Sequence, residues 1–194
     1  MELKFRDLTK DDIECRVQSS GTITGSNEMW ARVLLYKDAR VDMAILDETV
    51  QPQNWQRDHK ELKGNIYCGI GINVNAGLMR NNEPLAPLWV WKWDCGAESN
   101  TEKEKGEASD SFKRAGFNWG IGRELYTKIP AMIYGLPSKK VNGKDQVDGY
   151  FEVEKIKIEN KEITELSLIF VGKKESKRCF VWTKESGVSL QTLK

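Results

Sequence analysis

The sequence contains a single histidine, His59, so any catalytic arrangement that needs an imidazole would have to use this residue. Serine and cysteine hydrolases and most proton-transfer enzymes rely on such a histidine. His59 lies in the polar run QNWQRDHKELK, a pattern typical of a strand that faces water. We therefore interpret His59 as a solvated strand residue and predict neither a catalytic residue nor a metal-binding histidine.

The four cysteines, Cys15, Cys68, Cys95 and Cys179, are far apart in the sequence and form no CxxC pair. Zinc ribbons and small disulfide frameworks need closely spaced cysteines. The sequence therefore predicts free thiols.

Acidic residues could provide a different chemistry. Asp94, Glu98, Glu107 and Asp110 could together bind a divalent metal ion, which would make the protein a metal-dependent nuclease. Glu107 and Asp110 are also three residues apart in a predicted helix, a spacing equally typical of solvated helix charges. We keep the nuclease as an alternative.

Basic residues form a second group, comprising Arg40, Lys105, Lys113 and Arg114. Lys105 and Lys113 lie eight residues apart on one helical face, with Arg114 beside them. The net charge of the chain is only +1, so nucleic acid would have to be bound by a local basic groove rather than by a global positive field. Taken alone, the same residues also fit a solvated helix face.

Trp89, Trp91 and Trp93 alternate with polar or smaller residues in the run WVWKWDC, so all three side chains share one face of a predicted strand. Such a face usually packs under a helix, and we interpret it as core. A platform on which nucleobases stack is the functional alternative.

The helices and strands that position these residues are predicted from the spacing of apolar residues along the sequence. Strands are predicted over 54–62, 65–74 and 88–95, joined as an antiparallel meander. Apolar residues at helical spacing predict an amphipathic helix over 38–50, and the segment 101–115 predicts a second helix, acidic early and basic late. The apolar face of this second helix can cover the sheet.

The flanking segments are less regular. We expect a short helix over 10–18, because Thr9 and two aspartates resemble an N-cap and first turn, and a strand over 30–36. A polar linker is expected over 135–149, followed by alternating strand segments. We predict an α+β fold, with a core in residues 1–130 and a β-rich C-terminal extension in 131–194 that could belong to the same domain.

No apolar run approaches the ~20 residues of a membrane-spanning helix, and the N-terminus MELKFRDLTKDDIE is charged where a signal peptide would be apolar. We therefore expect a soluble protein of the cytoplasm that makes no contact with a membrane.

Two motifs follow the predicted meander in order, EKGEASDSFKRA at 104–115 and WGIGRELY at 119–126. With DDIECRVQ at 11–18 and YKDARVDMAILDETVQPQNWQ at 36–56, they resemble the annealing domain of the Rad52 family, in its phage and bacterial branch. The resemblance covers about residues 10–127 of the chain.

The resemblance implies the antiparallel β-β-β-α core of the Rad52-like annealing fold. It also implies a protein that is not an enzyme, that binds single-stranded DNA and anneals complementary strands in homologous recombination and repair, and that works as an oligomeric ring without ATP, cofactor or metal. A passive protein that protects single-stranded DNA without pairing it is a further alternative.

The family's contacts to single-stranded DNA, carried over onto matching positions, fall on Arg40, Lys113 and Arg114. Some family members have another arginine shortly after the Lys-Arg pair, where this chain has Gly116 and Phe117, and Lys105 and Lys103 are candidates to replace it. The implied partners are single-stranded DNA, its complement and further copies of the chain, with a single-strand-binding protein or a phage exonuclease as additional candidates. If the gene belongs to a phage, the location is the cytoplasm of the bacterial host.

Overall fold

The computed structural model describes residues 3–96, 103–173 and 176–193. Its strands are β1 (Glu14–Thr22), β2 (Met29–Tyr36), β3 (Trp55–Leu62), β4 (Asn65–Asn73), β5 (Met79–Arg80), β6 (Glu83–Pro84), β7 (Trp89–Cys95), β8 (Met132–Leu136), β9 (Ser138–Val141), β10 (Lys144–Val147), β11 (Gly149–Glu159), β12 (Glu162–Gly172), β13 (Ser176–Thr183) and β14 (Gly187–Leu190). The α-helices among these residues are α1 (Ala39–Val50) and α2 (Lys103–Trp119), and short 3₁₀ helices occupy Lys10–Asp12, Pro52–Asn54 and Arg123–Tyr126. The α+β class is confirmed. Across the described ranges, neither helix has the length and apolar character that crossing a membrane requires.

The chain divides into two compact units. The first unit comprises residues 1–6 and 39–122, and the second comprises residues 7–38 and 123–194. This division differs from the sequence-based ranges 1–130 and 131–194, because β2, from the N-terminal part, pairs with β8.

The first unit is built on an antiparallel meander in the order β3-β4-β7. A two-residue turn at Lys63 and Gly64, both with positive φ, connects β3 to β4. The residues Cys68, Ile70 and Ile72 alternate along β4 and are fully buried, so they define the core face of this sheet. All three predicted strands and their pairing are confirmed.

Both predicted helices of the first unit form. In α1, Ile45, Leu46 and Val50 are buried at helical spacing, and Pro52 follows the helix end. In α2, Phe112 and Ala115 are buried against the sheet. The helix runs to Trp119 and passes through Gly116, further than the predicted end at residue 115.

The second unit contains two antiparallel sheets, ordered β1-β2-β8 and β11-β12-β13-β14, and the hairpin β9-β10. One hydrophobic cluster runs through it, with Met29 and Ile133 from the first sheet and Leu168 and Phe180 from the second. The predicted strands β2, β11, β12 and β13 are confirmed, and β1, β8, β9, β10 and β14 are additions.

Two sequence-based expectations for this unit were wrong. Residues 10–18 do not form a helix, because the Thr9 backbone N–H and hydroxyl bind the Asp12 carboxylate around a single 3₁₀ turn and the chain then enters β1. The expected linker over 135–149 contains the end of β8 and the β9-β10 hairpin, which turns at Asn142 and Gly143 with positive φ.

Candidate nucleic-acid interface

Helix α2 carries two adjacent cations, Lys113 and Arg114, immediately after the buried Phe112. Successive residues of a helix point about 100° apart, so the side chains that follow a core residue turn away from the core. Lys113 is half-buried, and the side chain of Arg114 is 45% exposed. The structure therefore places this predicted pair together, on a part of α2 that an anion can reach.

A small polar network orients Arg114. Its Nε donates to Oδ1 of Asp94 on β7 at 3.2 Å. The same carboxylate accepts from the backbone N–H of Cys95 at 2.9 Å and, through Oδ2, from the Asn118 amide at 3.2 Å. Asp94 is thus held from strand and helix together, and it fixes the side of α2 on which the guanidinium lies.

Arg40 lies in the first turn of α1 and is exposed. Two residues further on, Asp42 is fully buried, and an added Cβ on Gly116 of α2 would lie 2.7 Å from its Oδ1. This close approach requires a residue without a side chain on α2. It also brings the helix that carries Arg40 beside the helix that carries Lys113.

The remaining predicted contacts, Lys103 and Lys105, belong to the first turn of α2, but their side chains lie outside the described residues. Other cations of this unit were missed by the sequence analysis. Lys92 of β7 donates to the backbone carbonyl of Asn118 at 2.9 Å and lies over the Trp119 ring, 4.4 Å from its centroid. Arg57 of β3 lies 5.7 Å from the Phe112 ring centroid. Alternation along β3 and β7 was the available signal, because it assigns Arg57 and Lys92 to the face under α2.

The acidic residues of the nuclease alternative have structural contacts. Asp94 binds Arg114 and Asn118, and Oε1 of the buried Glu107 accepts the backbone N–H of Ile66 at 2.7 Å. Glu98 lies outside the described residues. Within the described ranges, no group of three or more histidine, cysteine or acidic side chains could hold a metal ion.

The thiols and the histidine offer no catalytic arrangement in the described part of the chain. The cysteines are free, as predicted, and burial raises the pKa of Cys68 to about 11 and those of Cys15 and Cys179 to about 12. These thiols are therefore protonated at neutral pH and are poor nucleophiles. His59 is exposed on β3, as predicted.

The tryptophan face of β7 does not pack under α2. Register places Trp91 beside Gly71 and Trp93 beside Gly69, on the opposite face from the buried Ile70. Helix α2 lies on the Ile70 face, where the Trp119 indole N–H donates to the Ile70 carbonyl at 3.0 Å. The interpretation of the tryptophan stripe as a helix-covered core face was therefore wrong, although Trp91 and Trp93 are partly buried.

Comparisons with known proteins return no match: no family model, curated protein or solved structure resembles the chain closely enough to be assigned.

Proposed function

We propose that this protein binds single-stranded DNA and anneals complementary strands, without ATP, cofactor or metal, as a closed homo-oligomer. The fold we propose is the β-β-β-α core of the Rad52-like annealing domains. The observation that supports it best is the packing of α2, with its EKGEASDSFKRA sequence, on the antiparallel meander β3-β4-β7. This is the element order that the sequence resemblance implies.

The local electrostatics support binding to phosphates. Lys113 and Arg114 are adjacent on α2, and Arg40 is exposed on the neighbouring α1. Phosphate contacts supply most of the affinity in sequence-independent binding, and they fix the backbone without reading bases. Annealing makes and breaks no covalent bond, so the lack of a catalytic constellation among the described residues is compatible with it.

Oligomerisation is supported by the open edges of the meander. In the described unit, β3 and β7 are the outer strands of a three-stranded sheet. Unpaired edges of a small sheet favour pairing with another copy or coverage by one. We expect light scattering to give a mass several times the 22.2 kDa of the chain, and a monomer with and without DNA would contradict the proposed assembly.

The direct test uses two complementary labelled oligonucleotides, mixed with the protein in EDTA and, separately, in magnesium. Pairing faster than the spontaneous rate in EDTA, without ATP, supports annealing. Cleavage in magnesium would support the nuclease instead. Binding without accelerated pairing would support a protein that only protects single strands.

A further inference from the structure

The second face of the β3-β4-β7 sheet carries an aromatic layer that the proposed phosphate contacts do not use. Trp91 and Trp93 stack on each other at an offset, with ring centroids 5.6 Å apart and an angle of 23° between their planes. The two near-parallel rings form one continuous aromatic surface on this face of the sheet. Indole rings are the largest flat surfaces that a protein can offer to another planar group.

Glycines on the neighbouring strand allow the two indole rings to lie against the sheet. A Cβ added to Gly69 would lie 2.5 Å from the Trp93 ring, and one added to Gly71 would lie 2.6 Å from the Trp91 ring. Each indole therefore rests with one side on the backbone of β4, in space that any other residue would fill. This arrangement turns the opposite side of each ring away from the sheet.

On this face of the sheet, the side chains of β3 beside the two tryptophans are exposed. Gln56, Asp58, Lys60 and Leu62 alternate along β3 on the same face as the tryptophans, and all are exposed. The Lys60 ammonium lies over the Trp93 ring, 4.1 Å from its centroid, and its side chain is 64% exposed. Its contact with Asp58 is long, at 3.9 Å, so the cation–π contact with Trp93 is the main interaction that Lys60 gives up when it turns off the ring toward an arriving phosphate.

We propose that this face binds the unpaired bases of single-stranded DNA, with one base stacked on Trp91, a second on Trp93, and Lys60 contacting the intervening phosphate. This inference rests on the proposed function and adds a base-contacting site on the sheet face opposite α2. Stacking on aromatic side chains is the general means by which sheets hold single strands, because every base has a π face.

The geometry favours an unstacked strand over a duplex. Stacked bases are separated by about 3.4 Å along the axis and cover one another's faces. An indole ring can meet a base face only where neighbouring bases have separated. The site therefore discriminates between the unpaired strand and the paired product, which would leave it.

The test compares the binding of an oligothymidine with that of an abasic strand of the same length, which keeps the phosphates but lacks the bases. The wild type should bind the thymidine strand more tightly. Trp91→Leu and Trp93→Leu should each lose about five- to hundredfold in affinity for the thymidine strand, with an unchanged salt slope and little change toward the abasic strand. Trp91→Phe keeps a ring and should retain most of the binding.

Trp30→Leu is the matched control, because Trp30 also lies against a glycine, Gly21, but in the second unit. It should bind both strands as the wild type does. A wild type that binds both strands equally would overturn this inference alone. A wild type that binds neither would overturn the proposed function and this inference together. Tryptophan variants that change the oligomeric mass but keep their preference for bases would assign the face to contacts between copies and overturn the inference.

Discussion

Removing both cations from the exposed part of α2 should weaken binding to single-stranded DNA and flatten its dependence on salt. The variant Lys113→Ala/Arg114→Ala removes two of the proposed phosphate contacts. Each contact contributes ~0.7 to the slope of log affinity against log salt for single strands, so the slope should fall by about 1.4. Between about 50 and 200 mM salt, the difference in affinity between wild type and variant should therefore shrink about sevenfold.

The same substitution should cost little stability. Arg114 and Asp94 form an ion pair whose side chains are 45% and 23% exposed, and such a pair contributes ~0–1 kcal/mol. For a chain of this length, that corresponds to a fall in melting temperature of at most about 4 °C. The loss of DNA binding can thus be separated from unfolding.

The assay is fluorescence anisotropy with a labelled oligothymidine over a series of salt concentrations, with light scattering to verify the oligomer. The control is Lys140→Ala/Lys157→Ala, which removes two exposed, ion-paired cations from the second unit. Unchanged affinity and slope in the α2 variant, with normal oligomer size, would refute the reasoning and move the phosphate site elsewhere.

Three further predictions concern other parts of the chain. Arg40→Ala should abolish annealing with little change in melting temperature. Arg40→Lys should retain only part of the annealing activity, because a planar guanidinium binds phosphate through two hydrogen bonds and an ammonium does not. Normal annealing by Arg40→Ala would leave only a salt-bridge role for this residue. Gly69→Ala should lower the unfolding free energy by ~1–3 kcal/mol in denaturant titrations, because its Cβ would overlap the Trp93 ring, and an unchanged midpoint would show that the ring moves freely. The Arg178 guanidinium and, second, the Ser167 hydroxyl lower the pKa of Glu154 to about 2. The Glu154 carboxylate therefore stabilises the fold above the ordinary carboxyl pKa, and this stabilisation is lost as the pH falls toward about 2. Glu154→Gln should make stability depend less on pH in that range, and identical acid-unfolding profiles of variant and wild type would contradict the assignment.

The parts of the fold that were predicted correctly share a strong, unbroken period. The helix over 38–50 has an apolar residue at each helical repeat, and in β4 the large residues Cys68, Ile70 and Ile72 alternate with Gly69 and Gly71. In the helix only the period of 3.6 residues fits the apolar residues, and in β4 only the period of two residues does. Burial follows the pattern in part: Ile45, Leu46 and Val50 are buried in α1, but Asp42 is buried with them and Met43 is only half-buried.

The failures occurred where a local signal had no period to support it. Thr9 is the N-cap of a helix, as its sequence context indicates, but this helix is a single 3₁₀ turn. It ends there because Ile13, Cys15 and Val17 repeat every second residue, which is the pattern of a strand. In β9, every residue before Val141 is exposed, so the strand has no alternation to distinguish it from a linker. Backbone pairing with β10 stabilises it instead.

The tryptophans of β7 show most clearly what periodicity cannot predict. Period two groups Trp91 with Trp93 correctly, but it does not say which face of the sheet the helix covers. The deciding signal was on the neighbouring strand, where Gly69 and Gly71 alternate with large apolar residues, because a helix needs the large side chains for packing and only the glycines leave room for flat indole rings. That signal depends on register, which the sequence of one strand does not contain.

The two kinds of proposed DNA contact lie on opposite faces of the sheet and should respond differently to salt. On the α2 side, the proposed contacts of Lys113 and Arg114 should weaken as salt rises, because binding to phosphates releases counterions. On the tryptophan side, stacking releases few ions and is nearly independent of salt. As ionic strength increases, the proposed base contacts at Trp91 and Trp93 carry a growing share of the binding free energy. If a strand loses those contacts on pairing, the duplex should be released more readily than the single strand, and the proposed annealing would then have a direction without ATP.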